Sequence, residues 1–501
     1  MELIIFLAVF LFFCSMVVKH VKKSKPVKLP PGPKPLPIIG NIHQLSGGLP
    51  HHILADMAKK YGPLMHLKLG EVSYIVLSSA EVAKEVMNQH DILFSSRPEL
   101  LSVRIIDYNC TNITFSPYGD YWRQLRKICT VELLSAKRVQ TFRSLREEEV
   151  LNMIKLVFHK KGSVVNLSKM VFSVTYSIIA QAAFGKRSKY QEEFLVLMEE
   201  IMNVTGGFSI ADLYPSIKIL EVISGMRQRL EKIHKKTDII LGNILDEHKE
   251  KRNRLEARGD QEAREDLIDI LLSVQNSGEF GAPLTDDNIK AVISDIYAAG
   301  GESSATTAIW TMSEMIKNPG VLKRAQDEVR QVFDGKGNVD ESGLHELQYM
   351  QAAIKETMRI HPALPLLLPR ECRENCETNG YEIPVKTRVI VNAWAIGRDP
   401  IHWDDPDKFN PDRFLGSQID FRGKDFSYIP FGAGRRMCPG ITFALPNVQL
   451  PLAQLLFHFD WKLPGGLELE KLDMTENFGL AVGRKHDLEL IPIPYSRSSV
   501  K

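Results

Sequence analysis

The chain has 501 residues, 44% hydrophobic and 25% charged, enough apolar content to bury a large core. Its 63 basic and 61 acidic side chains nearly cancel, which argues against a nucleic-acid partner and for a small-molecule ligand. Six cysteines, at 14, 110, 129, 372, 376 and 438, are too few and too irregularly spaced for a disulfide framework and point to a reducing compartment.

Residues 3–18, LIIFLAVFLFFCSMVV, form an uninterrupted apolar run, preceded by Glu2 and followed by Lys19, Lys22, Lys23, Lys25 and Lys28. A secretory signal carries its positive charge first and ends in a small-residue cleavage site, so residues 1–21 read as a retained membrane anchor. The run falls slightly short of the roughly 17 to 25 residues of a spanning helix, and snorkelling lysines extend its reach. Lysines after the span place the body on the cytosolic side, where the sequons at Asn112, Asn166 and Asn203 do not meet the glycosylation machinery. The prolines of KLPPGPKPLPIIGN make 22–40 a basic, stiff, extended connector, and 41–501 reads as one large domain without an internal linker or repeat.

The body reads as mostly helical, with strand-like runs MHLKLG and SYIVLS near 65–78 and TRVIVNAW near 387–394. WRQLRK presents Trp122, Arg123, Arg126 and Lys127 from one helix, a set suited to carboxylates. A long helix is predicted over 284–317, with Thr285 as N-cap and Asn318-Pro319-Gly320 as its stop. Its middle breaks the pattern of a buried helix: Gly300 and Gly301 are followed by Glu302, Ser303 and Ser304. Two readings stand there, a ligand-facing bend with an acid–alcohol proton relay, or a polar patch facing solvent.

In KETMR, Glu356 and Arg359 share a helix face, which alone fits a solvated ion pair. Cys372 and Cys376 have no second ligand pair nearby and read as two loop thiols rather than a zinc site. In PFGAGRRMCPG, Cys438 sits beside two arginines and before a Pro-Gly step that opens an apolar helix, surroundings that favour a thiolate able to bind a metal or attack an electrophile. Pro446, inside that helix, is expected to produce a local kink.

Phe431-x-x-Gly434-x-Arg436-x-Cys438-x-Gly440 resembles the haem-binding signature of the cytochrome P450 family. WRxxRK at 122–127, AGGES at 299–303, ExxR at 356–359 and Pro411-Asp412-Arg413-Phe414 follow in that family's order, so the resemblance covers essentially the whole chain. PPGP after the anchor, residues 61–73 and residues 126–149 are similar to plant endoplasmic-reticulum members that oxidise terpenoids and terpenoid-derived indole alkaloids, of the limonene hydroxylase, premnaspirodiene oxygenase and tabersonine hydroxylase kind.

The resemblance implies a mainly α fold with small β-sheets behind a single N-terminal transmembrane helix. It implies haem b with Cys438 as the axial thiolate, Phe431 beside it, and Trp122, Arg126, Arg370 and Arg436 at the propionates. Glu356, Arg359 and Arg413 become a buried structural network, Ala299 and Gly300 an oxygen pocket, and Glu302 with Ser303 the proton relay. The family usually has threonine where this chain has Ser303; serine keeps the hydroxyl and loses the methyl that restricts its rotamer. Substrate walls fall at 103–106, 363–368 and 478–481, with Ile105, Asp295, Ala299, Ala363, Leu364, Leu368, Phe478 and Leu480 as contacts.

The implied reaction inserts one atom of O2 into a hydrophobic small molecule. GAGRRM at 432 is not a dinucleotide fingerprint, so NADPH electrons come from a separate membrane-bound reductase, met by basic residues such as Lys127, Lys424 and Arg435. Two alternatives remain at this level: a haem-thiolate isomerase or dehydratase that needs no reductase, and a membrane-anchored haem-binding protein without turnover.

Overall fold

A computed structural model describes residues 28–185, 191–205, 209–258, 265–278, 283–477 and 479–495. The anchor at 1–21, the first part of the connector and Phe478 lie outside the described residues. The helices that shape the site are, in chain order, α1 (Pro50–Tyr61), α2 (Leu101–Ile106), α3 (Asp120–Ile128), α4 (Leu167–Phe184), α5 (Asp286–Lys317), α6 (Gln348–Ile360) and α7 (Ile441–His458). The main sheet has strands β1 (Leu64–Leu69), β2 (Val72–Leu77), β3 (Arg370–Glu371) and β4 (Arg388–Val391) in the order β1-β2-β4-β3. Strands β1 and β2 are an antiparallel hairpin, β2 runs parallel to β4, and β3 pairs antiparallel with β4.

From Lys28 onward the proline-rich stretch is stitched to this sheet rather than extended away from it. The amide of His66 donates to the Pro31 carbonyl at 2.8 Å, and that of Asn41 to the Lys68 carbonyl at 2.6 Å. Glycine is required at 40, where φ is +61° and a Cβ would lie 1.9 Å from the Lys68 carbonyl oxygen. The prolines lack amide donors but leave carbonyls that accept from the sheet edge.

Helix α5 starts with a reciprocal cap: Thr285 Oγ1 accepts from the Asn288 amide, and Asn288 Oδ1 accepts from the Thr285 amide. Its 32 residues span about 48 Å at about 1.5 Å per residue, so it crosses the whole body. The glycine pair divides its work. A Cβ at 301 would meet the Tyr176 ring of α4 at 2.4 Å, so Gly301 lets α4 and α5 close on each other; Gly300 lines the main cavity, although a Cβ there would also lie 3.0 Å from Ile179 of α4. Helix α4 is long and apolar enough to cross a membrane, but it is mostly buried and serves as core. Helix α7 runs unbroken through Pro446 and also through Pro451, a second internal proline that the sequence reading passed over.

Candidate active site

The loop before α7 is shaped by two left-handed glycines, Gly432 at φ +69° and Gly434 at φ +67°. At Gly434 a Cβ would lie 2.2 Å from the Met87 carbonyl oxygen, so no larger residue fits that turn. The loop closes on itself where the Cys438 amide donates to the Phe431 carbonyl at 3.0 Å. Asp91 clamps it from outside, accepting from the Arg435 amide at 2.9 Å and from Arg370 Nη1 at 3.2 Å.

Cys438 and Phe431 open onto a cavity of about 310 Å³. Helix α5 crosses it with Asp295, Ala299, Gly300, Glu302, Ser303, Ser304 and Thr307 on the wall. Burial pushes the Cys438 thiol above its ordinary value, and the Gly440 amide and Arg126 do not offset this. The sequence reading expected the opposite sign. Local charges favour the thiolate, but desolvation in the folded body is larger, so the anion is the form a metal ion draws out with release of a proton.

Four guanidinium groups, Arg97, Arg126, Arg370 and Arg436, line the same cavity. Arg370 Nη2 donates to the Ala433 carbonyl at 2.7 Å, and Arg436 Nε to the Ser95 carbonyl at 2.7 Å. Arg97 donates to the carbonyls of Thr114, Leu368 and Pro369. The Arg126 guanidinium makes no hydrogen bond or ion pair among the described residues and lies 6.0 Å from the Trp122 ring. Burial and the neighbouring Arg370 and Arg126 push Arg436 down to about 9. Burial, then Arg436 and Arg370, push Arg97 well below its ordinary value. Of these four, only Arg370 has a carboxylate in contact, Asp91. Such mutual repulsion is relieved by an anionic ligand, and the propionates of a flat apolar group fit it in the sign of their charge.

Trp122 lines this end of the cavity, but its indole N–H donates to the Ile113 carbonyl at 3.0 Å, and its ring lies 4.2 Å from the Arg436 guanidinium. Its part is to hold Arg436 flat rather than to offer an N–H. Arg97 was missed in the sequence, where an isolated arginine in FSSRPE carries no signal of its long-range partners.

Across the cavity, Ser303 Oγ donates to the Ala299 carbonyl at 2.7 Å. Burial pushes Glu302 up to about 7, Tyr176 lowers it through a 3.3 Å hydrogen bond from its hydroxyl, and Glu199 raises it. The carboxyl therefore exchanges a proton near neutrality, and the solvent-facing reading of this patch falls away because both residues face the cavity. Ser304 Oγ is buried on the same wall without a hydrogen-bond partner.

Of the expected substrate contacts, Asp295, Ala299, Ala363, Leu364, Leu368 and Leu480 are on the wall. Ile105 is not: it packs against the core, and Ile106, the next residue along α2, faces inward instead. Asp295 is committed to the Thr114 amide at 2.9 Å and the Thr114 hydroxyl at 2.5 Å, so it ties α5 to the neighbouring loop. Asp107 and Phe115, unremarked in the sequence, also line the cavity.

Behind the cysteine loop, Glu356 and Arg359 are fully buried and paired through both carboxylate oxygens at 2.7 Å. Arg413 Nε donates to the same carboxylate at 2.9 Å, and Arg359 Nη1 donates to the carbonyls of Gly397 and Pro406. No solvated pair remains. The Cys372 and Cys376 sulfurs lie 3.7 Å apart, with no third metal donor beside them among the described residues.

Compared with known proteins, residues 30–487 match the Cytochrome P450 family. The chain is 56% identical to tabersonine 6,7-epoxidase isoform 1 of Catharanthus roseus, over 100% of both chains. It is 50% identical to premnaspirodiene oxygenase of Hyoscyamus muticus, over 99% of this chain and 100% of that one. Its fold superposes on a zebra fish cytochrome P450 solved with progesterone at a TM-score of 0.75 and 25% identity, covering 89% of this chain and 100% of the other.

Proposed function

We propose, for a chain that belongs to the cytochrome P450 family and is one of its monooxygenases, that it inserts one atom of O2 into a hydrophobic plant specialised metabolite, a terpenoid or a terpenoid-derived indole alkaloid. The observation that carries this reading is the convergence of Cys438, the guanidinium cluster and the Glu302–Ser303 pair on one largely apolar cavity. When bound, the family's cysteine-ligated haem supplies an electron-rich iron that favours O–O cleavage. Arg97, Arg126, Arg370 and Arg436 would hold its propionates, and Ala299 with Gly300 line the same cavity. Ser303 holds a proton at Oγ, and Glu302 takes up or releases one near neutrality while the Tyr176 hydroxyl donates a hydrogen bond to its carboxylate. Ile106, Phe115, Ala363, Leu364 and Leu368 exclude water and orient an apolar skeleton.

Asp107 favours the alkaloid among these substrates. Its carboxyl lines the cavity, burial and Asp295 push it well above its ordinary value, and it has no ion-pair partner among the described residues. A protonated amine beside it would favour its ionised form and pair with it.

NADPH electrons arrive through a separate membrane-bound reductase. Lys127, Lys424 and Arg435 are exposed and adjoin the pocket: Lys127 follows Arg126, Arg435 precedes Arg436, and Gly423, beside Lys424, packs against Met437. Residues 1–21 anchor the chain in the endoplasmic-reticulum membrane with the body cytosolic; a deletion of 1–21 that stayed wholly microsomal would refute this.

Reconstitution with a plant NADPH–cytochrome P450 reductase and a panel of terpenoids and indole alkaloids tests the whole reading. Products that gain one oxygen atom and require both NADPH and O2 are expected. Turnover without NADPH would assign an isomerase or dehydratase, and a haem-loaded protein that turns over nothing on the panel would overturn the substrate class.

A further inference from the structure

Away from the main cavity, α1 and the C-terminal segment meet through three histidines and two glutamates. His51 and His52 occupy the first turn of α1, and their Nε2 atoms lie 2.9 Å and 3.2 Å from one oxygen, Oε2 of Glu476. One donor atom from each of these three residues lies within 4.8 Å of the other two. Tetrahedral zinc with ligands at about 2.0–2.1 Å requires donors about 3.3 Å apart, so small side-chain rotations bring this set to coordination geometry.

A separate observation comes from the other carboxylate oxygen. His361 Nε2 pairs with Glu314 Oε1 at 2.7 Å, while its Nδ1 has no hydrogen-bond partner and lies 3.5 Å from Glu476 Oε1. The His361 side chain is 9% exposed, and its ring is stacked on Trp310 at 4.0 Å and 2°. His361 thus faces a carboxylate from each ring nitrogen, Glu314 through Nε2 and Glu476 through Nδ1.

We infer that His51, His52 and Glu476 form a binding site for one zinc-class divalent cation, with His361 and Glu314 orienting the ligating carboxylate and water completing the coordination. Two histidines and one glutamate with an open fourth position are a familiar zinc donor set, and a carboxylate–histidine pair behind a ligand is the usual way to fix its orientation. The His52 side chain is 42% exposed and packs on Trp394 at 4.4 Å, which gives an ion a route in and holds the ring in place. The site joins α1 to the segment whose Leu480 and Ala481 line the main cavity, so a bound ion clamps one of its walls.

Equilibrium dialysis of chelator-stripped, haem-loaded protein against zinc chloride, with metal measured by mass spectrometry, tests this. One tightly bound zinc per chain is expected. His52→Ala, at a half-exposed position that should fold, is expected to weaken it at least about 100-fold, and Glu314→Gln by about 10- to 100-fold. His43→Ala, at an exposed histidine elsewhere, should change nothing. Failure to retain zinc, or equal affinity in His52→Ala, would overturn the site and leave an imidazole–carboxylate hydrogen-bond network.

Discussion

Ser303 donates its hydroxyl to the carbonyl of Ala299, one turn earlier on the helix that crosses the cavity, at 2.7 Å. The bond uses the single proton of the hydroxyl and leaves its oxygen lone pairs toward the pocket. Ser303→Ala should keep NADPH consumption running while diverting electrons to hydrogen peroxide, lowering product formed per NADPH several-fold. Ser303→Thr restricts the rotamer and should hold or improve that ratio. Unchanged coupling in Ser303→Ala would make the residue a packing position.

The acid beside it sets a pH dependence. Glu302 has an ordinary value of 4.5 and burial raises it to about 7, so between those values the folded chain keeps a proton that the unfolded chain has released. Stability contributed by this group is therefore present at low pH and lost as pH rises through that window. Glu302→Gln should flatten that slope, measured by thermal melting between about pH 5 and about pH 8. Tyr176→Phe removes a hydrogen bond that lowers the group, so any limb of the turnover profile near neutrality should move to higher pH.

Replacing Cys438 by Ser removes the thiolate. The ferrous carbon-monoxide complex should lose its strongly red-shifted Soret band, and oxygenation should stop. Retention of the band would reassign the ligand.

Glu356 accepts from two buried or half-buried guanidinium groups at once. Truncation in Glu356→Ala leaves them unpaired and should cost about 3–5 kcal/mol, enough to impair haem loading. Differential scanning calorimetry together with the haem-to-protein ratio reads both effects; normal values for each would show that the backbone carbonyls around Arg359 suffice.

At the far end of the cavity, Asp107→Asn should weaken binding of protonated-amine ligands about tenfold or more and leave neutral terpenoids nearly unaffected, a difference read by substrate-induced spectral titration. Equal losses for both classes would mean that the side chain shapes the wall without selecting charge.

What could be read from the sequence was whatever is local. Thr285 could be read as the N-cap from the residues around it, and the glycines before Cys438 shape a turn of their own; the return bond from Asn288 came only with the structure. The network of Glu356 with Arg413 spans 57 residues and was legible only through family resemblance. Arg97 binds carbonyls more than 270 positions away, and no window of sequence holds both ends. The sign of the Cys438 shift failed for a related reason: nearby charges are visible in the sequence, but the desolvation that outweighs them exists only once the chain has folded. The contacts of the proline-rich stretch were not legible for the same reason: a chain without amide donors still lends its carbonyls to a strand about 35 residues on.

The close approach of Gly301 to the Tyr176 ring matters for anyone who wishes to retune this enzyme. Tyr176 fills the notch that the glycine leaves and also donates to Glu302, so one side chain serves the fit between two helices and the acidity of that carboxyl. A mutational library that varies position 301 alone will sample mainly collisions, whereas one that varies 176 alone will shift protonation without warning. The two positions are better varied together, as a single unit, and screened for coupling rather than for expression.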